Sequence, residues 1–323
     1  MVVFLHVSAA GVSEFGEGWI YFNIYDSLVR ACVPLFLMLS GALLLGRDEA
    51  VAVFYTKRFL RIFPPLIFWS IFYVVWKAWL AGDLSGVSAS LLSVLKGPAY
   101  FHLWYLYALV GIYLFIPFMS KIYRNSTHSE KIAYLSIWFL VACVIPQVTY
   151  FYPGLGDLVS VYGLSSFMGL SGFVFLGAYA FDRIQAQTAP SLVLDAAVFV
   201  ACAVGTALST YGLSMHDGMP NQLFFSYLSP WVVVGSFFGF RLFVALGARL
   251  SRYAKTLNVL AGCTLGVYCL HMFVMNRLSL VYGGLIEGHS MLWIIPALVV
   301  SISVITLVPI FIARQFKPLR HII

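Results

Sequence analysis

Long apolar runs separated by brief polar punctuation repeat along the whole chain. A membrane-crossing helix needs about 20 apolar residues. Runs of that kind fall at roughly 1–12, 28–46, 62–82, 102–120, 133–150, 163–181, 192–212, 223–247, 259–278 and 291–313, which predicts about ten spans. The connections are short and carry Gly, Pro, Asn and Asp, the residues of turns. The first run offers only about a dozen apolar residues before Glu14, too few to cross. That predicts a natural first helix reaching upstream of Met1.

Composition agrees with the pattern. Of 323 residues, 62% are hydrophobic and 10% charged, with a mean hydropathy of +0.94. A soluble domain carries about 25% charged residues, so water-soluble folds are excluded. The expected class is all-α: one polytopic integral membrane domain over 1–323. The net charge of +7 is a matter of topology and points to no nucleic-acid partner. With the first span starting inside, 15 of the 19 Lys and Arg fall on the inner side, leaving Arg30, Lys77, Lys96 and Arg277 at or near the outer one. Both termini are therefore expected in the cytoplasm. Glu14, Glu17, Asp26, Asp83, Asp157, Asp217 and Glu287 lie on the expected outer side. Cys32, Cys143, Cys202, Cys263 and Cys269 all sit in apolar stretches and show no metal-ligand or disulfide spacing. They read as small buried residues, and no metal site is expected.

Ionisable groups at membrane depth are costly and therefore informative. His6 lies eight residues before Glu14, about 12 Å below the outer boundary at 1.5 Å per residue. His271 lies deep in the ninth span. Arg30 opens the second span, with Ser40 ten residues further along it. His102 starts the fourth span, and Asp195 sits near a helix end. Each has a plainer reading. A lone histidine can bond across to a neighbouring helix. His102-Leu103-Trp104-Tyr105 can be an aromatic interface belt, and Ser40-Gly41 can be helix packing. No Asp or Glu falls at mid-membrane, which argues against a transporter or flippase of a glycan or small solute, the competing class. Imidazole, guanidinium and hydroxyl remain, and imidazole suits proton removal from an alcohol near neutral pH. In FYTKRFLRIFPPL, Lys57, Arg58 and Arg61 end an inner segment and Pro64-Pro65 opens the third span. Arg58 and Arg61, three apart, share a helix face and suit phosphates. Topology marking with anionic lipid contact serves equally.

Five stretches in order, MVVFLHVS, RACVPLFLMLSGALL, FYTKRFLRIFPPLIFW, HLWYLYALVGIYLFIPF and LGVYCLHMFVM, carry a resemblance. The chain resembles the acyltransferase-3 family of bacterial inner-membrane acyltransferases, and within it the enterobacterial common antigen O-acetyltransferase type. That family pairs an arginine with a histidine further along its first helix. His6 matches the histidine, and the arginine would fall upstream of Met1. The resemblance implies His6 as general base or acyl carrier, and Ser40 as an orienting or relaying hydroxyl. It implies Arg58 and Arg61 as a grip on acyl-coenzyme A, a co-substrate and not a permanently bound cofactor. His102, Trp104 and His271 match recurrent positions expected to bind substrate. Arg30 would hold an anionic sugar or meet oxyanion charge, or else anchor the helix at the headgroups. The implied reaction moves an acetyl or other short acyl group to a hydroxyl of a cell-envelope carbohydrate or lipid-linked glycan. The implied place is among the lipids of the bacterial inner membrane.

Overall fold

The computed structural model describes residues 1–85, 87–156, 158–167, 169–186, 191–282 and 289–323. Asp157 and Glu287 lie outside the described residues. Among those described, the fold is all-helical with no strand. The α-helices are α1 Val2–Ala9, α2 Trp19–Val29, α3 Cys32–Leu44, α4 Val51–Ala81, α5 Val87–Ser93, α6 Trp104–Asn125, α7 His128–Trp138, α8 Ile145–Phe151, α9 Leu158–Val161, α10 Ser171–Ala186, α11 Leu192–Asp217, α12 Pro230–Arg249, α13 Ala254–Tyr282 and α14 Met291–Ala313.

Among the described residues, eight helical segments are long and apolar enough to cross a membrane: Trp19–Leu44, Val51–Ala81, Phe101–Asn125, His128–Phe151, Leu192–Asp217, Leu223–Arg249, Ser251–Ser279 and Met291–Ala313. The protein is thus a multi-pass membrane protein. Two of the ten expected spans are not among these. The first is α1, with 8 residues. The sixth is α10, with 16 residues.

Two boundaries moved for identifiable reasons. The second span starts at Trp19 and not near 28, because Gly18 takes φ +84° and turns the chain into α2. Its polar residues Asn23, Asp26 and Ser27 are buried. Asn23 Nδ2, for example, donates to the Ala207 carbonyl at 3.0 Å. The third span starts at Val51, so Lys57, Arg58 and Arg61 lie on the helix itself and Pro64 and Pro65 lie inside it. A mid-helix proline loses one backbone bond and bends the helix without ending it when packing holds both sides. Here Ile62, Pro65, Leu66 and Trp69 are all buried. The helix closes at Gly82, φ +70°. Beyond it the Asp83 carboxylate accepts from Ser85 N and Oγ at 2.8 and 2.6 Å, which holds its carboxyl below the usual range.

The chain forms two compact units. One comprises 1–47, 119–254 and 286–299; the other comprises 48–118, 255–285 and 300–323. In the first, α3 packs along α10, α11 along α12 and α2, and α1 against α2. The α3–α10 seam is backbone on backbone. A Cβ on Gly41 would stand 1.7 Å from the Val174 carbonyl oxygen, and one on Gly177 would stand 2.0 Å from that of Met38. In the second unit, α4 is tied to α13 through Tyr73, whose hydroxyl donates to the Cys269 carbonyl at 2.7 Å. The C-terminal turn Lys317–His321 packs on α4, with Trp69 Nε1 donating to the Ile322 carbonyl at 2.9 Å. All five cysteines are buried free thiols. Many large apolar side chains stay exposed on helix faces, Leu60, Ile67, Trp79, Leu208 and Val300 among them. That is the surface a bilayer covers.

Candidate active site

His6 sits half-buried on α1, between the buried residues Leu5 and Val7. Two residues on, Ser8 is fully buried, and its hydroxyl reaches Asp26 Oδ1 at 3.1 Å. Asp26 is itself wholly buried and pairs with Arg30, four residues later on the same helix face. The Arg30 guanidinium lies over the rings of Phe225, at 4.6 Å, and Tyr227, at 5.8 Å. Asp26 thus lies on a helix of a segment long and apolar enough to cross a membrane and not in a loop, with Arg30 turned to its carboxylate. The physical reason is mutual neutralisation. A carboxylate and a guanidinium one turn apart leave the low-dielectric interior with little net charge to solvate. Asp195 is likewise fully buried and bound to Arg241 at 3.1 Å. Both carboxylates sit toward the starts of their helical segments, Trp19–Leu44 and Leu192–Asp217.

Ser40 is half-buried, and its hydroxyl donates back to the Phe36 carbonyl at 3.1 Å. Its neighbour Gly41 is the residue pressed against Val174. Close helix approach therefore accounts for the glycine of the Ser-Gly pair.

In the second unit, Arg58 and Arg61 stand on α4. Arg58 lies 5.2 Å over the Phe54 ring and 3.9 Å from Glu49 Oε2. Lys57 shares that carboxylate at 2.5 Å. Arg61 is exposed. Two guanidiniums three positions apart present donors along one face, the arrangement a diphosphate can engage.

The tightest polar cluster of this unit gathers around His102 and His271, both 0% exposed. Their rings meet edge to face with centroids 5.3 Å apart. His102 Nε2 lies 3.2 Å from the Cys269 carbonyl, the oxygen that Tyr73 also uses. His271 Nδ1 lies 2.6 Å from the Tyr268 carbonyl. The Tyr268 hydroxyl donates to the His102 carbonyl. Each imidazole thus directs one N–H at a backbone oxygen, which fixes its tautomer. Tyr100 meets His102 edge to face with centroids 5.5 Å apart, and burial pushes its hydroxyl pKa up. Trp104 is half-buried and packs edge to face on Tyr105, whose ring lies 6.1 Å from Tyr268.

Of the expected residues, the structure brings His102 and His271 into contact and sets Arg58 and Arg61 on one helix. His6, Arg30 and Ser40 belong to the first unit; Arg58, Arg61, His102, Trp104 and His271 belong to the second. Ser8, Asp26, Tyr73 and Tyr268 were missed. The Asp26–Arg30 spacing in an apolar stretch is the one signal that the sequence carried for them.

Against known families, a model described as an acyltransferase domain, acyltransferase-3, matches residues 1–313. The chain belongs to the acyltransferase-3 family. This acyltransferase-3 protein is therefore a membrane acyltransferase, and the match takes in every residue expected in the site. No curated protein and no solved structure matched the chain.

Proposed function

We propose that this protein is a membrane O-acyltransferase of the enterobacterial common antigen type, in the bacterial inner membrane. It would move an acetyl or other short acyl group from acyl-coenzyme A to a hydroxyl of a cell-envelope carbohydrate or lipid-linked glycan. The observation that carries the reading is the family match from residue 1 to 313, which includes a half-buried histidine on the first helix.

In this reading the His6 imidazole removes the proton from the acceptor hydroxyl. The oxygen attacks the thioester carbonyl, the C–S bond breaks, and the coenzyme thiolate takes up the proton. Ser40 orients the thioester or relays the acyl group. Arg58 and Arg61 hold the coenzyme's phosphates bidentately. His102, Trp104 and His271 line the path of substrate. Arg30, its charge balanced by Asp26, offers its remaining N–H donors to an anionic acceptor or an oxyanion.

The test follows label from acetyl-coenzyme A into envelope carbohydrate, using membranes that contain the protein. His6→Ala is expected to lower the rate by about 10²- to 10⁴-fold, the worth of a general base. Transfer within about threefold of the parent rate would remove His6 from the chemistry. Flux of a glycan without consumption of acetyl-coenzyme A would favour transport instead.

A further inference from the structure

The second unit holds basic residues of two kinds. Lys57 and Arg58 share the Glu49 carboxylate. Arg314, Lys317 and Arg320 put three positive charges into seven residues, and among the described residues no ion pair within 4.0 Å involves any of them. Arg314 immediately follows the last residue of the span Met291–Ala313, which sets it at headgroup depth.

The group is built and not a loose tail. Arg314 donates to the Gly262 carbonyl. Gly262 provides the room, since a Cβ there would stand 2.4 Å from the Arg314 guanidinium. Arg320 Nε donates to the Arg314 carbonyl at 2.6 Å. The turn that carries Arg320 is held on α4 by the bond from Trp69 to Ile322. Each guanidinium spends one of its five donors on these bonds and keeps the rest. Together with Val259, Phe311 and Gln315, the two arginines line a pocket of about 180 Å³.

Simple helix capping does not account for this. The C-terminus of a helix offers only about half a negative charge, against three positive ones. Positive-inside topology accounts for the number of charges, but not for two guanidiniums being held on one pocket by bonds to the Gly262 and Arg314 carbonyls. We propose that the pocket of Val259, Phe311, Arg314, Gln315 and Arg320 binds a phosphate group. Guanidiniums suit phosphate by their planar forks. A volume well below the about 300 Å³ of ordinary small-molecule sites takes a phosphate group and leaves the rest of the molecule that carries it outside. The phosphate belongs either to an anionic lipid headgroup or to one end of the coenzyme. The site stands whether or not the transfer reaction above is correct.

The test uses the whole protein in nanodiscs of phosphatidylcholine with and without phosphatidylglycerol. Native mass spectrometry reads the retained lipid, and a titration with adenosine 3′,5′-bisphosphate reads the coenzyme's phosphates. Arg320→Gln, at an exposed position, and the double variant Arg314→Gln/Arg320→Gln are compared with Arg249→Gln, an exposed basic control in the other unit. Preferential phosphatidylglycerol retention is expected, and Arg320→Gln should reduce it by about tenfold, roughly one or two charge-assisted bonds, with no change in the control. If lipid retention holds while Arg320→Gln weakens bisphosphate binding about tenfold, the site stands with the coenzyme as its ligand. If Arg320→Gln leaves both unchanged, the proposal is wrong. That judgement holds even if the double variant fails to fold.

Discussion

The α3–α10 seam and the His102–His271 cluster solve one problem in opposite ways. Helices in lipid gain nothing from hiding apolar surface from one another, so they must associate by close packing or by hydrogen bonds. The seam of the first unit uses the absence of side chains: Gly41 and Gly177 let two backbones touch. The cluster of the second unit uses large rings, whose polar atoms reach from one element to another onto the backbone carbonyls of Cys269 and His102. The first arrangement tolerates no added atom. The second loses one bond for each polar atom removed.

The largest expected effect therefore comes from adding a methyl group to the seam. In Gly41→Ala the new Cβ would lie 1.7 Å from the Val174 carbonyl oxygen, so backbone must yield and no side chain can swing away. A destabilisation above about 3 kcal/mol is expected, at or beyond the upper range of overpacking. It would be seen as loss of the folded monomer in a thermal size-exclusion assay. A variant that melts within about 2 °C of the parent would show that the seam is looser than drawn.

The cluster should respond to a smaller subtraction. Tyr73→Phe keeps the ring beside His102, at 5.1 Å between centroids, and deletes only the hydroxyl that reaches Cys269 at 2.7 Å. The Cys269 carbonyl keeps His102 Nε2 as a partner, so the cost should be about 1 kcal/mol or a little less, as for single hydrogen bonds between membrane helices. Unfolding in a graded SDS titration measures it. A cost as large as that of Gly41→Ala would erase the distinction between the two regions.

What the sequence disclosed follows the same division. Hydropathy located α11 and α14 closely, because their apolar runs are long and continuous. It misplaced the start of the second span because Asn23, Asp26 and Ser27 are polar yet buried, and their partners, Ala207, Arg30 and Ser8 among them, cancel the cost that hydropathy assigns. It misjudged Pro64-Pro65 because a proline pair signals a helix start locally, while the buried face of Ile62, Leu66 and Trp69 carries the helix through. Single residues at depth, such as His6 and Ser40, stood out against apolar neighbours. The cluster could not be foreseen as a cluster. His102 and the carbonyl that it meets are 167 positions apart, and no local pattern joins them. The seam was legible only as a small-residue pair on α3; its partner Gly177 gave no sign of facing it.

The smallest structural effect gives the sharpest test of chemistry. Ser40 stands beside the immovable Gly41, but its own hydroxyl only bonds back to Phe36 at 3.1 Å within one helix. Such a bond adds little to a helix and often bends it slightly. Ser40→Ala should therefore change stability by no more than about 0.5 kcal/mol. Any loss of activity then cannot be blamed on the seam. If the hydroxyl orients or relays the acyl group, label transfer from acetyl-coenzyme A should fall by at least about tenfold with the melting temperature unchanged. Transfer at the parent rate would make the Ser-Gly pair a packing device alone, with the glycine as its working half.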